Sequence, residues 1–201
     1  MAIHARKLEL QPNGIFESKI KCITNDEKAI AAGFDPIEEG ALEKTRRTRA
    51  SLREGPMPKT VWKNFAKFCD QFNFKKTPWY APIPAGFNIS SFDMTIVQRL
   101  CEEHGPTSDK TGEQTVFHPI FKMDLMQHIY CWFENYSDVN KFNMDYLRDF
   151  FGMPNENAHD ALQDVKDTAN ILIRFLKFQR SIIDNNKVQF KNAFANGNYY
   201  V

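Results

Sequence analysis

Apolar residues recur at helical spacing in the first half of the chain. Between Pro58 and Phe74, large apolar side chains follow one another at steps of three and four residues, with Phe65 and Phe68 at the centre of the stripe. This period is typical of an amphipathic helix that buries one face. We expect its phenylalanine-rich face to belong to the core rather than to a surface on which nucleotide bases stack.

Other stretches favour strands. Ala2–Leu10 and Ile15–Ile20 fit two extended segments on either side of the turn sequence Pro12-Asn13-Gly14, which predicts a β-hairpin at the start of the chain. Two further short strands are expected at Trp79–Ala85 and at Ile120–Met123. Both are short and largely apolar, as strands buried in a sheet are.

The second half of the chain is expected to be mostly helical. Strands separated by helices indicate the α/β class, with a mixed β-sheet flanked by helices. One domain is predicted for residues 1–183, followed by a polar tail at residues 184–201. Four helices are predicted in this half. The first starts at Ser90 or Ser91 and ends near Glu103, and the second follows the strand Ile120–Met123 and runs through Phe133. The third runs from a cap at Asn143 to Phe151, before Gly152, and the fourth extends from Asp160 to Ile183.

The composition allows one globular domain of ordinary size. The 201 residues are 42% hydrophobic and include 18 phenylalanines, which is enough material for a buried core. The chain has 26 basic and 25 acidic residues, and its formal net charge is +1. Any surface that binds nucleic acid must therefore be a local one.

The cysteines and the first residues predict an intracellular protein. Cys22, Cys69, Cys101 and Cys131 are far apart in the sequence and lie in apolar stretches, so we expect four free, buried thiols in a reducing compartment. The first ten residues lack the apolar core of a signal peptide, and no stretch is long enough to cross a membrane. A cytoplasmic protein without a membrane partner is the prediction.

The start of the last long helix is the part of the sequence richest in chemical groups. His159 precedes the helix, and Ala161 and Asp164 lie on one narrow face of it. A small side chain at position 161 allows this face to approach a sheet closely, with Asp164 directed at the strand ends. The alternative is an ordinary helix start, with Asp160 as the N-cap and with Asp164 and Asp167 at the positive end of the dipole.

A second group of polar residues follows the predicted strand Trp79–Ala85. Gly86-Phe87-Asn88 turns the chain, and Asp93 comes in the first turn of the next helix. Taken alone, an acid at this position is better explained by the helix dipole than by chemistry.

Together these two segments resemble the DEDDh family of 3′→5′ exonucleases, which includes polymerase proofreading subunits and ribonuclease T. That family has a Gly-His/Phe-Asn turn followed by an Asp, here Gly86-Phe87-Asn88 and Asp93. It also has a His-x-Ala-x-x-Asp motif on its last long helix, here at residues 159–164. The resemblance extends from Ala2 to Arg180 and includes Asp124, after the short strand that precedes the middle helices.

The resemblance implies an RNase H-like fold and the hydrolysis of terminal phosphodiesters of single-stranded DNA or RNA to nucleoside monophosphates. It assigns Asp93 and Asp164 as ligands of two Mg²⁺ or Mn²⁺ ions and His159 as the general base. It also implies that Asn88 shapes the nucleotide pocket. The expected partners are 3′ ends of single-stranded DNA or RNA, and a polymerase or another replication protein.

The family's first motif, Asp-x-Glu, has no counterpart here, because it lies on a strand ahead of the one that resembles Ala2–Leu10. We therefore expect the first strand of the sheet to be missing and metal binding to be weakened. Two interpretations stay open: a shortened chain whose full product is an enzyme, or a variant that has lost catalysis. The variant would be an inactive exonuclease-like domain that binds nucleic acid or a protein partner.

The most basic run of the sequence, Lys44–Arg53, occupies the place where the family contacts the terminal nucleotide. Arg46 and Arg47 are expected to bind phosphate there, since guanidinium groups pair well with phosphate oxygens. A solvated, charged loop without a ligand is the alternative interpretation.

Overall fold

The computed structural model describes residues 1–135, 142–154 and 160–186, with side chains up to residue 181. Within these ranges, helices surround a small parallel sheet. The described elements in chain order are α1 (Asp26–Ala31), α2 (Glu39–Thr45), α3 (Arg49–Arg53), α4 (Pro58–Asp70), a short 3-10 helix (Pro78–Tyr80), β1 (Ala85–Gly86), α5 (Asp93–His104), β2 (Met123–Asp124), α6 (Leu125–Phe133), α7 (Met144–Phe150) and α8 (Ala161–Asn186).

The two strands form a parallel pair at the centre of the molecule. Ala85 lies opposite Met123, and Gly86 lies opposite Asp124. Because α5 connects the strands, β1, α5 and β2 form a β-α-β unit. The long helix α8 packs against β1. The carboxyl ends of both strands meet at one edge of the sheet, and there the chain turns into α5 and α6.

Two hydrophobic clusters hold the helices around this unit. The first joins α4 to α5, and the second joins α6, α7 and α8. The turn after β1 contacts both clusters, because Ile89 belongs to the first and Phe87 packs against the second. The buried residues at the centre of the two clusters are Trp62, Cys69, Val97 and Cys101 in the first and Leu125, Ile129, Leu147 and Ile171 in the second.

The amphipathic helix predicted from Pro58 is confirmed. Pro58 occupies the first turn, where its missing N–H leaves no hydrogen bond unmade. Phe65 and Phe68 pack against the first cluster, as expected for a core face. The helix ends at Asp70 rather than at Phe74, whose side chain is 91% exposed.

The predicted N-terminal hairpin is wrong in both strands. The segment predicted as the first strand, Ala2–Leu10, turns back on itself at residues 5–7 and forms a single bridge between Ile3 and Leu10. The turn at Asn13 and Gly14 forms, but it folds back on Ala2, whose backbone pairs with Gln11 and Gly14. Residues 15–20 form no strand. The reason is tertiary, since the ring of Phe16 packs on α4, with its centroid 5.5 Å from those of two α4 phenylalanines.

The two predicted inner strands are shorter than expected. Of Trp79–Ala85 only the last residue belongs to β1, because the two prolines of this segment, Pro82 and Pro84, lack N–H groups for a ladder. Of Ile120–Met123 only Met123 belongs to β2. The α/β class agrees with helices around a parallel pair. Antiparallel pairing in the described residues is limited to single bridges, Ile3 with Leu10 and Thr107 with Gln114.

The predicted helix cap at Asn143 is confirmed, whereas the prediction for the cysteines holds for only two of the four. Asn143 caps α7, and its side chain accepts the N–H of Tyr146 at 2.8 Å. Cys69 and Cys101 are buried, which raises their pKa values to about 12 and about 11. The other two cysteines, Cys22 and Cys131, are exposed, so the prediction of four buried thiols is wrong.

The C-terminal part of the fold is one long helix. α8 continues to Asn186, three residues beyond the predicted end, and the rest of the predicted tail, residues 187–201, lies outside the described residues. Among the described helices, none has the length and apolar character needed to cross a bilayer.

Candidate active site

The turn between β1 and α5 is tightly packed and has an unusual backbone. Asn88 has a φ of 56°, the left-handed region that Asn tolerates better than most residues. A Cβ at Gly86 would lie 3.2 Å from the side chain of Ile89, so a larger residue there would crowd the turn. The predicted cap at Ser90 or Ser91 is wrong, because α5 begins at Asp93 without a side-chain cap.

Asp124 holds this turn in place. Its carboxylate is buried at 4% exposure, and its two oxygens accept the backbone N–H groups of Asn88 and Ser90, each at 3.0 Å. One oxygen also accepts the N–H of Met126 at 3.2 Å and so caps α6. A single carboxylate therefore joins the end of β2, the turn after β1 and the start of α6. The sequence signal was an acid directly before an apolar helix.

Asp93 lies beside this buried carboxylate, at the carboxyl edge of the sheet. It is exposed, but neighbouring atoms partly desolvate it, and this desolvation raises its pKa above the ordinary value. Its own backbone N–H opposes the rise, and the negative charge of Asp124 adds to it. Two of the acids in the motif regions are thus electrostatically coupled.

Asp164 belongs to a different cluster, centred on Arg148 of α7. The guanidinium of Arg148, only 1% exposed, donates to Asp164 at 2.5 Å and to the buried Asp167 at 2.8 Å. It also donates to Asp145 at 3.0 Å. Burial alone would lower the pKa of Arg148, but the bonds to Asp167 and Asp164 raise it overall. The helix-dipole interpretation of Asp167 is therefore wrong: its main partner is a buried cation.

The packing of α8 on β1 brings the helix of Asp164 to the strand that leads into Asp93. Nevertheless, no group of three or more His, Cys, Asp or Glu side chains in the described ranges is arranged to hold a metal ion. Asp124 uses both oxygens on backbone N–H groups, and Asp164 is paired with Arg148. The described carboxylates do not by themselves fit a two-metal site. His159 lies outside the described residues.

The basic run divides into exposed and structural arginines. Arg46, at the end of α2, and Arg47 are exposed. Arg49 is instead tied down by Asp26 at 2.7 Å and by Glu39 at 3.0 Å. The first two guanidinium groups are available to a ligand in the α2–α3 loop, whereas Arg49 stabilises that loop.

Asp160 behaves as the helix-start interpretation predicted. Its side chain accepts the N–H groups of Leu162 and Gln163, both at 3.1 Å.

Comparisons of the whole chain with protein-family models, with curated proteins and with solved structures gave no match.

Proposed function

We propose that this protein is a 3′→5′ exonuclease of the DEDDh type, which hydrolyses the terminal phosphodiesters of single-stranded DNA or RNA and releases nucleoside monophosphates. The observation that carries the proposal is the β1-α5-β2 unit with α8 packed on β1. In this arrangement the Gly86-Phe87-Asn88 turn, Asp93 and the helix of the His-x-Ala-x-x-Asp motif belong to neighbouring elements. An RNase H-like fold is part of the same proposal.

His159 is the proposed general base. A histidine has an ordinary pKa of about 6.5, so it is mostly neutral at working pH and can accept a proton from water. Asp93 and Asp164 are the acids on which the resemblance places Mg²⁺ or Mn²⁺. The described carboxylates do not by themselves assemble a two-metal site.

Substrate contacts are proposed for two further regions. The half-buried Asn88 lies in the turn that leads to Asp93 and borders the proposed nucleotide pocket. The exposed Arg46 and Arg47 are proposed to bind phosphates of the strand.

The test is the shortening of a 5′-labelled single-stranded oligonucleotide, in Mg²⁺, in Mn²⁺ and in EDTA. We expect a ladder that shortens from the 3′ end and disappears in His159→Ala, and the comparison of Mg²⁺, Mn²⁺ and EDTA shows whether the reaction needs a metal ion. His128→Ala is the matched control, because His128 is exposed on α6 and has no proposed role. A ladder that persists in His159→Ala would contradict the proposal.

The second candidate is an exonuclease-like domain without catalysis, which binds nucleic acid or a protein such as a polymerase. The observation that favours it is the pairing of Asp164 with the buried Arg148, which uses the acid for packing of α7 on α8. A folded sample that binds the oligonucleotide and leaves its length unchanged in every metal condition would support this candidate over the enzyme.

A further inference from the structure

The segments that lead into the two strands lie side by side. The N–H of His118 donates to the carbonyl of Pro82 at 2.9 Å, and the N–H of Met123 donates to that of Pro84 at 2.9 Å. The paired segments are residues 78–84 and 117–122. They lie at the amino ends of β1 and β2, whereas Asp93 follows the carboxyl end of β1. The surface they form is therefore separate from the candidate active site.

Three aromatic side chains of this surface form what we term the aromatic platform: Trp79, His118 and Phe121. Trp79 contacts the imidazole edge-on at 5.9 Å, and Phe121 stacks on it at 4.7 Å. The imidazole itself is buried, and its Nδ1 accepts the N–H groups of Ile120 and Phe121 at 3.2 and 3.0 Å. A fixed histidine thus supports two rings that are 61% and 60% exposed.

The exposure of these rings is not explained by the fold. Phe121 stacks on His118 with one face and is nevertheless 60% exposed. Ile83 and Ile120, from the same two paired segments, are also exposed. Such surfaces mark binding sites. Because His118 already holds the rings, a ligand that stacks on them loses little side-chain entropy.

The charges around the aromatic platform favour an anionic partner. Residues 74–84 and 115–123 contain three lysines and no acidic residue. Lys75 lies 4.3 Å above the ring of Tyr80, Lys122 is exposed, and Lys76 pairs with Asp70. Exposed aromatic rings beside lysines match single-stranded nucleic acid, whose bases stack on rings and whose phosphates attract lysines. A duplex does not match, since its base faces are already stacked.

We propose that the aromatic platform binds single-stranded nucleic acid, with bases stacked on Trp79 and Phe121 and phosphates near Lys75 and Lys122. The inference rests on the nucleic-acid partner of the proposed function but not on hydrolysis. It adds a second contact for the strand, away from the end that is cleaved.

The test is the anisotropy of fluorescein-labelled oligothymidylate and oligouridylate titrated with the full chain in EDTA, where no metal-dependent cleavage occurs. We expect Trp79→Ala and Phe121→Ala each to weaken binding by about fivefold or more, the effect of losing one stacked base. Phe34→Ala is the matched control, because Phe34 is 58% exposed and lies outside the aromatic platform. Lys122→Gln should reduce the salt dependence of log K by about 0.7.

The titrations decide whether the aromatic platform binds single-stranded nucleic acid, provided that circular dichroism shows the variants to be folded. Equal binding by the wild type, Trp79→Ala and Phe121→Ala, or no binding at all, would overturn the inference. So would self-association that Trp79→Ala abolishes without a change in oligonucleotide binding, because the surface would then be a protein interface. Loss of 3′ shortening with intact ring-dependent binding would instead count against the proposed exonuclease alone.

Discussion

Two buried carboxylates of this protein are stabilised in opposite ways. Asp124 is 4% exposed and accepts backbone N–H groups from the turn after β1 and from α6. Asp167 is 3% exposed and accepts the guanidinium of Arg148 and the amide of Gln163. The first carboxylate fixes the path of the backbone, and the second fixes the packing of two helices.

The difference determines what each site tolerates. An acid held by backbone N–H groups keeps its full negative charge, which acts on its surroundings, and its removal leaves unsatisfied donors. An acid paired with a buried cation is neutralised, and removal of the cation leaves an uncompensated buried charge. The second loss is the larger of the two, so the Arg148 cluster should be the more sensitive to substitution.

The largest effect is expected for Arg148→Met. This change leaves the buried Asp167 without its cation, and we expect the free energy of unfolding to fall by about 3–5 kcal/mol. Urea denaturation measures the loss. Asp145→Asn removes a partner whose side chain is 57% exposed, and it should cost about 1 kcal/mol or less.

A double variant separates charge from packing in this cluster. Arg148→Met combined with Asp167→Leu replaces the buried pair by apolar groups, so much of the lost stability should return. If Arg148→Met alone unfolded as readily as the wild type, the cluster would not be the stabilising feature that its burial indicates.

A smaller loss is expected for Asp124→Ala. Three backbone N–H groups lose their acceptor, and we expect the free energy of unfolding to fall by about 3 kcal/mol. Asp124→Asn keeps one acceptor oxygen and should lose about half as much. Asp160→Ala, which removes an exposed cap of two N–H groups, should cost about 1 kcal/mol. Equal losses for Asp124→Ala and Asp160→Ala would contradict the role of burial.

The same comparison explains which features the sequence was able to predict. α4, α5 and α8 follow from local periods and turn residues, and so does the cap at Asn143. Asp124 accepts the N–H of Asn88, which lies 36 residues earlier in the chain. The two residues meet only because β1 and β2 pair in parallel. Nothing in the local pattern around Asp124 specifies that partner.

The failed predictions have a similar cause. The second strand of the predicted hairpin was lost because Phe16 packs on α4, a contact between residues far apart in the sequence. Arg148 was missed because a single arginine in an amphipathic helix is ordinarily solvated, and only the packing of α7 on α8 buries it. Aromatic residues at helical spacing were correctly assigned to the core, whereas the ring contact of Trp79 with His118 depends on the pairing of two loop segments.

The smallest expected effect tests whether the charge of Asp124 reaches Asp93. Partial desolvation and the charge of Asp124 raise the pKa of Asp93, so the folded protein holds this proton more tightly than the unfolded chain. The stabilisation is complete below the unfolded pKa of about 3.9 and is lost as the pH rises through the raised value. Asp93→Asn cannot ionise, and it should therefore stabilise the protein at pH 7 but not at pH 3.

Urea denaturation of Asp93→Asn and the wild type at both pH values measures this difference. In an Asp124→Asn background the gain at pH 7 should shrink, because the neighbouring charge is gone while the desolvation remains. A helix dipole that dominated the site would give the opposite sign, with Asp93→Asn destabilising at pH 7 because the first turn of α5 loses its negative charge. The sign of the change at pH 7 thus decides between two roles of Asp93. Either the ionised side chain stabilises α5 through the helix dipole, or it lowers the stability of the protein, as expected for an acid retained for a chemical role.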